Sequence, residues 1–231
     1  MTNESFPGRW IEGAGLVGGP SLLLAGGLLR SESDGFFPSQ LAAFAQNPTL
    51  MTASYSVFAA GLVLLVPATL ALTRRIGATH ARLARWGGAL VLAGLLARIF
   101  HHGVNHLAMQ LVNVQGQAAA LRAVSEQYSS FHLFQLFNVA TFLGWIVLAV
   151  AAWRSQVLGV VGSVGLALMT SLPLGVLKGT GPMSIVAAAG LCAALLPLGV
   201  KVLRQGPAPR WWAYPVVAAA GAALGYLGLM G

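Results

Sequence analysis

A succession of apolar runs fills almost the whole chain, each close to the ~20 residues a helix needs to cross a bilayer core, and this leaves few folds open to it. Every backbone polar group in lipid needs an internal partner, so runs of this length fold as helices. About seven are present, at residues 10–29, 49–72, 84–112, 128–153, 157–177, 184–203 and 211–230. Little chain remains for anything else. The expectation is one domain over residues 1–231, an all-α integral-membrane bundle of about seven transmembrane helices. With 57% hydrophobic and only 8% charged residues, the composition is too lopsided for an ordinary soluble domain.

The formal charge of +8 would suit nucleic acid or acidic lipid. However, the lysines and arginines sit in short connections between spans and not along an extended basic face, which makes them a topology signal and argues against a nucleic-acid partner. Arg74, Arg75, Arg82 and Arg85 form the most basic connection. Placing it in the cytoplasm also puts Arg9, Arg154, Lys201, Arg204 and Arg210 inside and leaves Arg30, Arg122 and Lys178 outside. The expected protein is therefore a multi-pass protein of the inner (cell) membrane with a cytoplasmic N-terminus. Glu4, Arg9 and Glu12 precede or open the first run without a basic n-region, and no Ala-x-Ala pattern follows, so that run is read as a retained helix. Cys192 is the only cysteine, which excludes an internal disulfide, a Cys-based zinc site and an iron–sulfur cluster.

One polar run stands out inside the third apolar stretch: Arg98-Ile-Phe-His-His-Gly-Val-Asn-His106. On a helix, Arg98, His101, His102, Asn105 and His106 share an arc of roughly 140°. Ionisable groups at membrane depth normally face a bundle interior or a water-filled cavity, so this arc is the leading candidate for a site. A second stripe, Tyr128, His132, Gln135 and Asn138, falls on an arc of roughly 120° of the next helix. With a rise of about 1.5 Å per residue, Asn138 should reach the depth of Arg98, and His132 that of His102 or His106. The connections above carry Glu32, Asp34 and Glu126, with Phe36, Phe37 and Tyr55 as aromatic walls. A short interfacial helix over residues 39–45 and a water-exposed helix over 115–127 complete the expected elements.

Three chemistries compete for these residues. Isolated His and Asn residues often only join neighbouring helices, at about 0.6–2 kcal/mol each, and Arg98 would then hold Asn138 or a backbone carbonyl. His102 and His106, at i,i+4 spacing, suit two ligands of one metal ion, with His132 as a third, but the intervening Glu of His-Glu-x-x-His is missing. The favoured chemistry is acid–base and needs neither metal nor cofactor. A carboxylic acid at the edge of an apolar cavity keeps its proton and can donate it, while a histidine recharges it from water. In that scheme Asp34 or Glu32 donates the proton, with Glu126 next in line, and His102, His106 and His132 act as relay or base. Asn105, Gln135, Asn138, His101 and Tyr128 orient the substrate, and Arg98 positions it.

In length, span count and the run from Leu22 to Arg75, with "LAAFAQNP" and "TRR" around its second helix, the chain resembles small bacterial integral-membrane proteins of an uncharacterised domain family. As a small polar-lined bundle it also resembles the membrane-bound terpene cyclases, which act on prenylated natural products. That resemblance implies an enzyme whose acidic residue protonates an olefin or epoxide to start cyclisation. In the better-known fungal members the catalytic acids lie within helices, whereas Glu32, Asp34 and Glu126 map here to connections or helix ends. The expected function is acid-initiated cyclisation of a lipophilic, prenylated substrate drawn from the membrane lipid phase. The alternative is a small-solute or proton-coupled transporter using the same polar stripe.

Overall fold

The computed structural model describes residues 8–33, 35–127, 131–205, 207–208 and 210–230. It is all-helical, with 85% of residues in helices and no strand among those described. The helices are α1 (Arg9–Leu29), α2 (Phe37–Gln46), α3 (Pro48–Gln115), α4 (Gln117–Gln127), α5 (Leu136–Arg154), α6 (Val160–Ala167), α7 (Pro182–Arg204) and α8 (Ala213–Met230). α1, α3, α7 and the stretch Leu133–Arg154 are long and apolar enough to cross a membrane.

Local chemistry explains where α3 begins and why it folds back. Asn47 caps it by accepting the Leu50 N–H at 3.1 Å, and Pro48 takes the first turn, where its missing N–H is not needed. A straight helix of 68 residues would extend about 100 Å, three times the hydrocarbon thickness of a bilayer. The backbone instead leaves helical geometry at His80 (φ −129°, ψ 59°). The two arms, residues 48–79 and 81–115, return alongside each other: Gly88 faces Thr73, and the His102 ring meets those of Tyr55 and Phe58. The second and third predicted spans are thus the arms of one helical hairpin.

Glycines set the spacing around it. A Cβ on Gly26 of α1 would lie 2.6 Å from the Phe58 nitrogen of the first arm, and one on Gly144 of α5 would lie 2.6 Å from the Val91 nitrogen of the second. These backbones touch because nothing stands between them. α6 packs on α5 and on α7, and α7 returns to α1, so the helices close into a ring. Leu16, Leu62, Leu65, Leu95, Trp145, Leu148, Leu166, Leu191 and Leu195 fill its interior. A smaller apolar cluster seals the end away from the His80 apex: Leu41 and Phe44 of α2, Ala120 of α4, and Met51, Tyr55, Met109 and Leu177.

Three elements differ from the expectation. The fourth span is not helical at His132, which is extended (φ −146°, ψ 154°), and a 3-10 turn, Leu133–Gln135, leads into α5. His132, Gln135 and Asn138 therefore do not share one helical arc, and Tyr128 lies outside the described residues. The fifth span breaks after α6 and a 3-10 turn, Leu168–Ser171, because Pro173 supplies no N–H and the following residues, including Gly175 (φ 115°) and Leu177 (φ 50°), leave helical geometry. The chain then runs non-helically to Pro182. α8 meets no other helix among the described residues.

Candidate functional site

The polar arc of the second hairpin arm divides between two neighbours. Arg98, His101 and Asn105 are buried and turn toward the broken fifth segment. The Arg98 guanidinium donates to the Leu172 carbonyl at 3.1 Å and to the Pro173 carbonyl at 3.3 Å, and Asn105 Oδ1 accepts the Leu177 N–H at 2.6 Å. This accounts for a backbone break at depth. The Leu172 and Pro173 carbonyls, which the non-helical chain beyond them leaves without helical partners, find a cation, and the N–H of the positive-φ Leu177 finds an amide oxygen. Arg98 is therefore tied to backbone carbonyls and not to Asn138.

His102 turns the other way. Its ring stacks on Phe58 (5.2 Å, 19°) and tilts against Tyr55 (5.6 Å, 56°), both on the first arm. The same two rings carry the Arg30 guanidinium, 4.5 Å from each centroid. Arg30 follows the last residue of α1 and donates to Ser54 Oγ at 3.3 Å, while Ser54 donates to the Gly26 carbonyl at 2.6 Å. Tyr55 Oη donates to Gln40 of α2 at 2.9 Å. Burial pushes the Arg30 guanidinium below its ordinary value, yet arginine keeps its proton in proteins, so the charge remains.

Between these two sets lies a cavity of about 30 Å³, lined by Arg30, Arg98, His101, His102, Asn105 and Lys178, with Thr180, Ser184 and the 172–175 backbone completing the wall. That is room for about two waters or one compact group. Nε of Arg30, Nε of Arg98 and Nδ1 of His101 are buried without a hydrogen-bond partner.

Two apolar grooves flank the cavity. One, of about 350 Å³, runs between the second arm and α4 and is lined by Phe100, Val104, Leu107, Leu111, Val124 and Val176, with His132 at its margin. The His132 ring stands edge-on to His101 at 5.6 Å, and Phe100 stacks on Phe134 at 4.1 Å beside them. The other, of about 240 Å³, lies between the hairpin arms and holds Tyr55, Ile99, His102, His106 and Met109. His102 borders both this groove and the cavity.

The remaining candidates are scattered. His132 meets His101 and not His102 or His106. Asn138 is half-buried with its Oδ1 unpartnered, and Gln135 ends the 3-10 turn before α5. Glu32 and Glu126 are exposed, the first in the turn after α1 and the second on α4. Phe36 is exposed under the Lys178 ammonium, 5.6 Å from the ring, and Phe37 packs on the smaller apolar cluster. Asp34 and Tyr128 lie outside the described residues. Among the described residues no three His, Cys, Asp or Glu side chains gather closely enough to hold a metal ion.

Sequence reasoning missed Arg30, Phe58, Lys178, Thr180 and Ser184. Arg30 and Lys178 were read only as charges that set topology, although each adjoins a helix end or a Gly-rich turn that can fold inward. No family model, curated protein or solved structure matches this chain.

Proposed function

We propose that the protein is an integral-membrane enzyme that takes a lipophilic substrate into the groove between the second hairpin arm and α4 and transfers protons at its His101–His132 margin. The observation that carries this reading is the 350 Å³ apolar groove with a paired imidazole at one side. The reaction we favour is acid-initiated cyclisation of a prenylated compound, in line with the resemblance to membrane-bound terpene cyclases. A carboxylic acid adds its proton to an olefin, forming a C–H bond and a carbocation. The cation closes a ring, and an imidazole removes a proton from the neighbouring carbon to give an isomer of unchanged mass. Asp34, Glu32 and Glu126 are the candidate donors, and Glu126 is carried by the helix that walls the groove. Phe100, which lines the groove, and Phe134 stacked on it suit a cationic intermediate.

The reading includes seven crossings of the cell (inner) membrane with the N-terminus in the cytoplasm, the fifth crossing being completed by non-helical chain. Protease accessibility of tags at the two ends tests it: a cytoplasmic C-terminus contradicts the crossing number.

The reaction is tested by extracting the lipophilic compounds that co-purify with the protein, identifying them by mass spectrometry and incubating them with it in D2O. The expected product has the substrate's skeleton isomerised and one deuterium gained, and His132→Ala should lower its formation about 10²-fold or more. Absence of any isomer from wild-type protein would remove the enzyme reading. One observation favours a transporter instead: a broken helix whose non-helical backbone lines a polar cavity, the arrangement transporters use around their substrates. Solute flux into proteoliposomes without chemical change would select it.

A further inference from the structure

Arg30 and Arg98 are 3% and 8% exposed and border the same cavity. Among the described residues neither meets a carboxylate; Glu12, at the opposite end of the bundle, pairs with Arg74 and Arg75. Their acceptors are neutral: a serine hydroxyl for Arg30, two carbonyls for Arg98. A guanidinium offers five N–H donors in a fixed fork, and in both residues the Nε donor is buried and unused, as is Nδ1 of the adjoining His101. Burying a cation without its counter-charge costs several kcal/mol, and two of them share one wall.

The rest of the lining has the same polarity. Asn105, Thr180 and Ser184 contribute side chains that can donate, Lys178 adds an ammonium, and Ser184 lies in the first turn of the 23-residue α7, which brings the positive end of a long helix to the cavity. The space takes one compact group and not an extended molecule. Paired guanidinium forks are the arrangement that recognises a tetrahedral oxyanion.

We propose that this cavity binds a phosphate group, supplied either by inorganic phosphate or by the headgroup of an anionic phospholipid entering from the bilayer. The inference stands whether or not the cyclisation proposed above is correct, since it rests first on Arg30 and Arg98, to which that reaction assigns no proton transfer, and not on the apolar groove. Basic pockets between membrane helices are a recurrent way of holding such headgroups.

The test uses the full chain in phosphatidylcholine nanodiscs, with its thermal midpoint followed as inorganic phosphate is raised against chloride at matched ionic strength. A ligand of the folded state raises the midpoint steadily with the logarithm of its concentration. Arg30→Gln and Arg98→Lys should each weaken the response about tenfold or more. Arg98→Lys retains a cation for the Leu172 and Pro173 carbonyls, and Arg30→Gln gives up one hydrogen bond to Ser54 and the cation contacts to Tyr55 and Phe58 while removing a buried charge, so both variants should fold. A second arm replaces inorganic phosphate with phosphatidic acid in the nanodisc. A rise confined to this arm and lost in Arg30→Gln identifies the lipid headgroup as the source. An equal rise with chloride, or no rise in either arm for the wild type, overturns the proposal.

Discussion

At the apex end of the bundle, Glu12 is 1% exposed and meets two arginines of the hairpin: Arg74 as an ion pair at 2.5 Å and Arg75 as a hydrogen-bonded pair at 3.2 Å. At the other end Arg30 and Arg98 are nearly as deeply buried, yet among the described residues they meet neutral oxygens and aromatic faces. The first cluster completes itself: a buried carboxylate receives two cations whose own side chains remain 40% and 23% exposed, so water shares the cost of the arrangement. The second leaves positive charge facing a cavity. Charge whose partner is built into the chain serves the fold, whereas charge left without one lowers stability and persists where something outside the chain makes use of it.

The sharpest way to break this comparison is to remove both cations from the apex end. Arg74→Ala with Arg75→Ala strands the Glu12 carboxylate between α1 and the hairpin and should cost about 3–5 kcal/mol, read as a lower unfolding midpoint in detergent. A loss below 1 kcal/mol would mean that water reaches Glu12 and that the two ends differ less than their burial suggests.

The same kind of change at the other end should have the opposite sign. Arg30→Met removes a buried cation with no carboxylate among the described residues and gives up contacts to Tyr55 and Phe58 worth about 0.5–1 kcal/mol each at exposed sites. Replacing even a paired buried charge by apolar volume is often stabilising by about 1–4 kcal/mol, so for a cation without a carboxylate among the described residues the net expectation in phosphate-free buffer is a gain of about 1 kcal/mol. A drop of several kcal/mol would make Arg30 a fold anchor like Glu12. Because the two clusters lie at opposite ends, the triple variant should show the sum of the two effects to within about 0.5 kcal/mol.

This contrast was only half legible in the sequence. The apolar runs announced helices because lipid permits little else, and the Asn47-Pro48 cap, the glycine spacing and the polar arc from Arg98 to His106 follow from local rules. The division of that arc did not. Helical periodicity puts Arg98, His101, His102, Asn105 and His106 on one face but does not say that two neighbours share it, the 172–177 backbone on one side and the Tyr55–Phe58 pair on the other. Pro173 was visible inside the fifth run, but the break becomes acceptable only because Arg98 and Asn105, more than 70 residues away in sequence, satisfy the exposed backbone. Arg30 read as a loop charge because its aromatic platform comes from a different helix. Of the acidic residues expected to donate a proton, the described ones, Glu32 and Glu126, are exposed. Tertiary contacts between distant segments are the part that periodicity does not encode.

The smallest expected effect concerns what holds Arg30 in place. Ser54 is fully buried; its hydroxyl donates to the Gly26 carbonyl, in the last turn of α1 where carbonyls lack helical partners, and accepts from Arg30 at 3.3 Å. Ser54→Ala removes both bonds without leaving a large cavity and should cost about 1 kcal/mol. The Tyr55 and Phe58 rings, each 4.5 Å from the guanidinium, remain. If they are what orient Arg30 toward the cavity, the phosphate response of Ser54→Ala should stay within about twofold of the wild type despite the lower midpoint. Loss of that response together with stability would assign the positioning to the hydroxyl and would tie Arg30 more closely to the fold of α1 than the contrast with Glu12 allows.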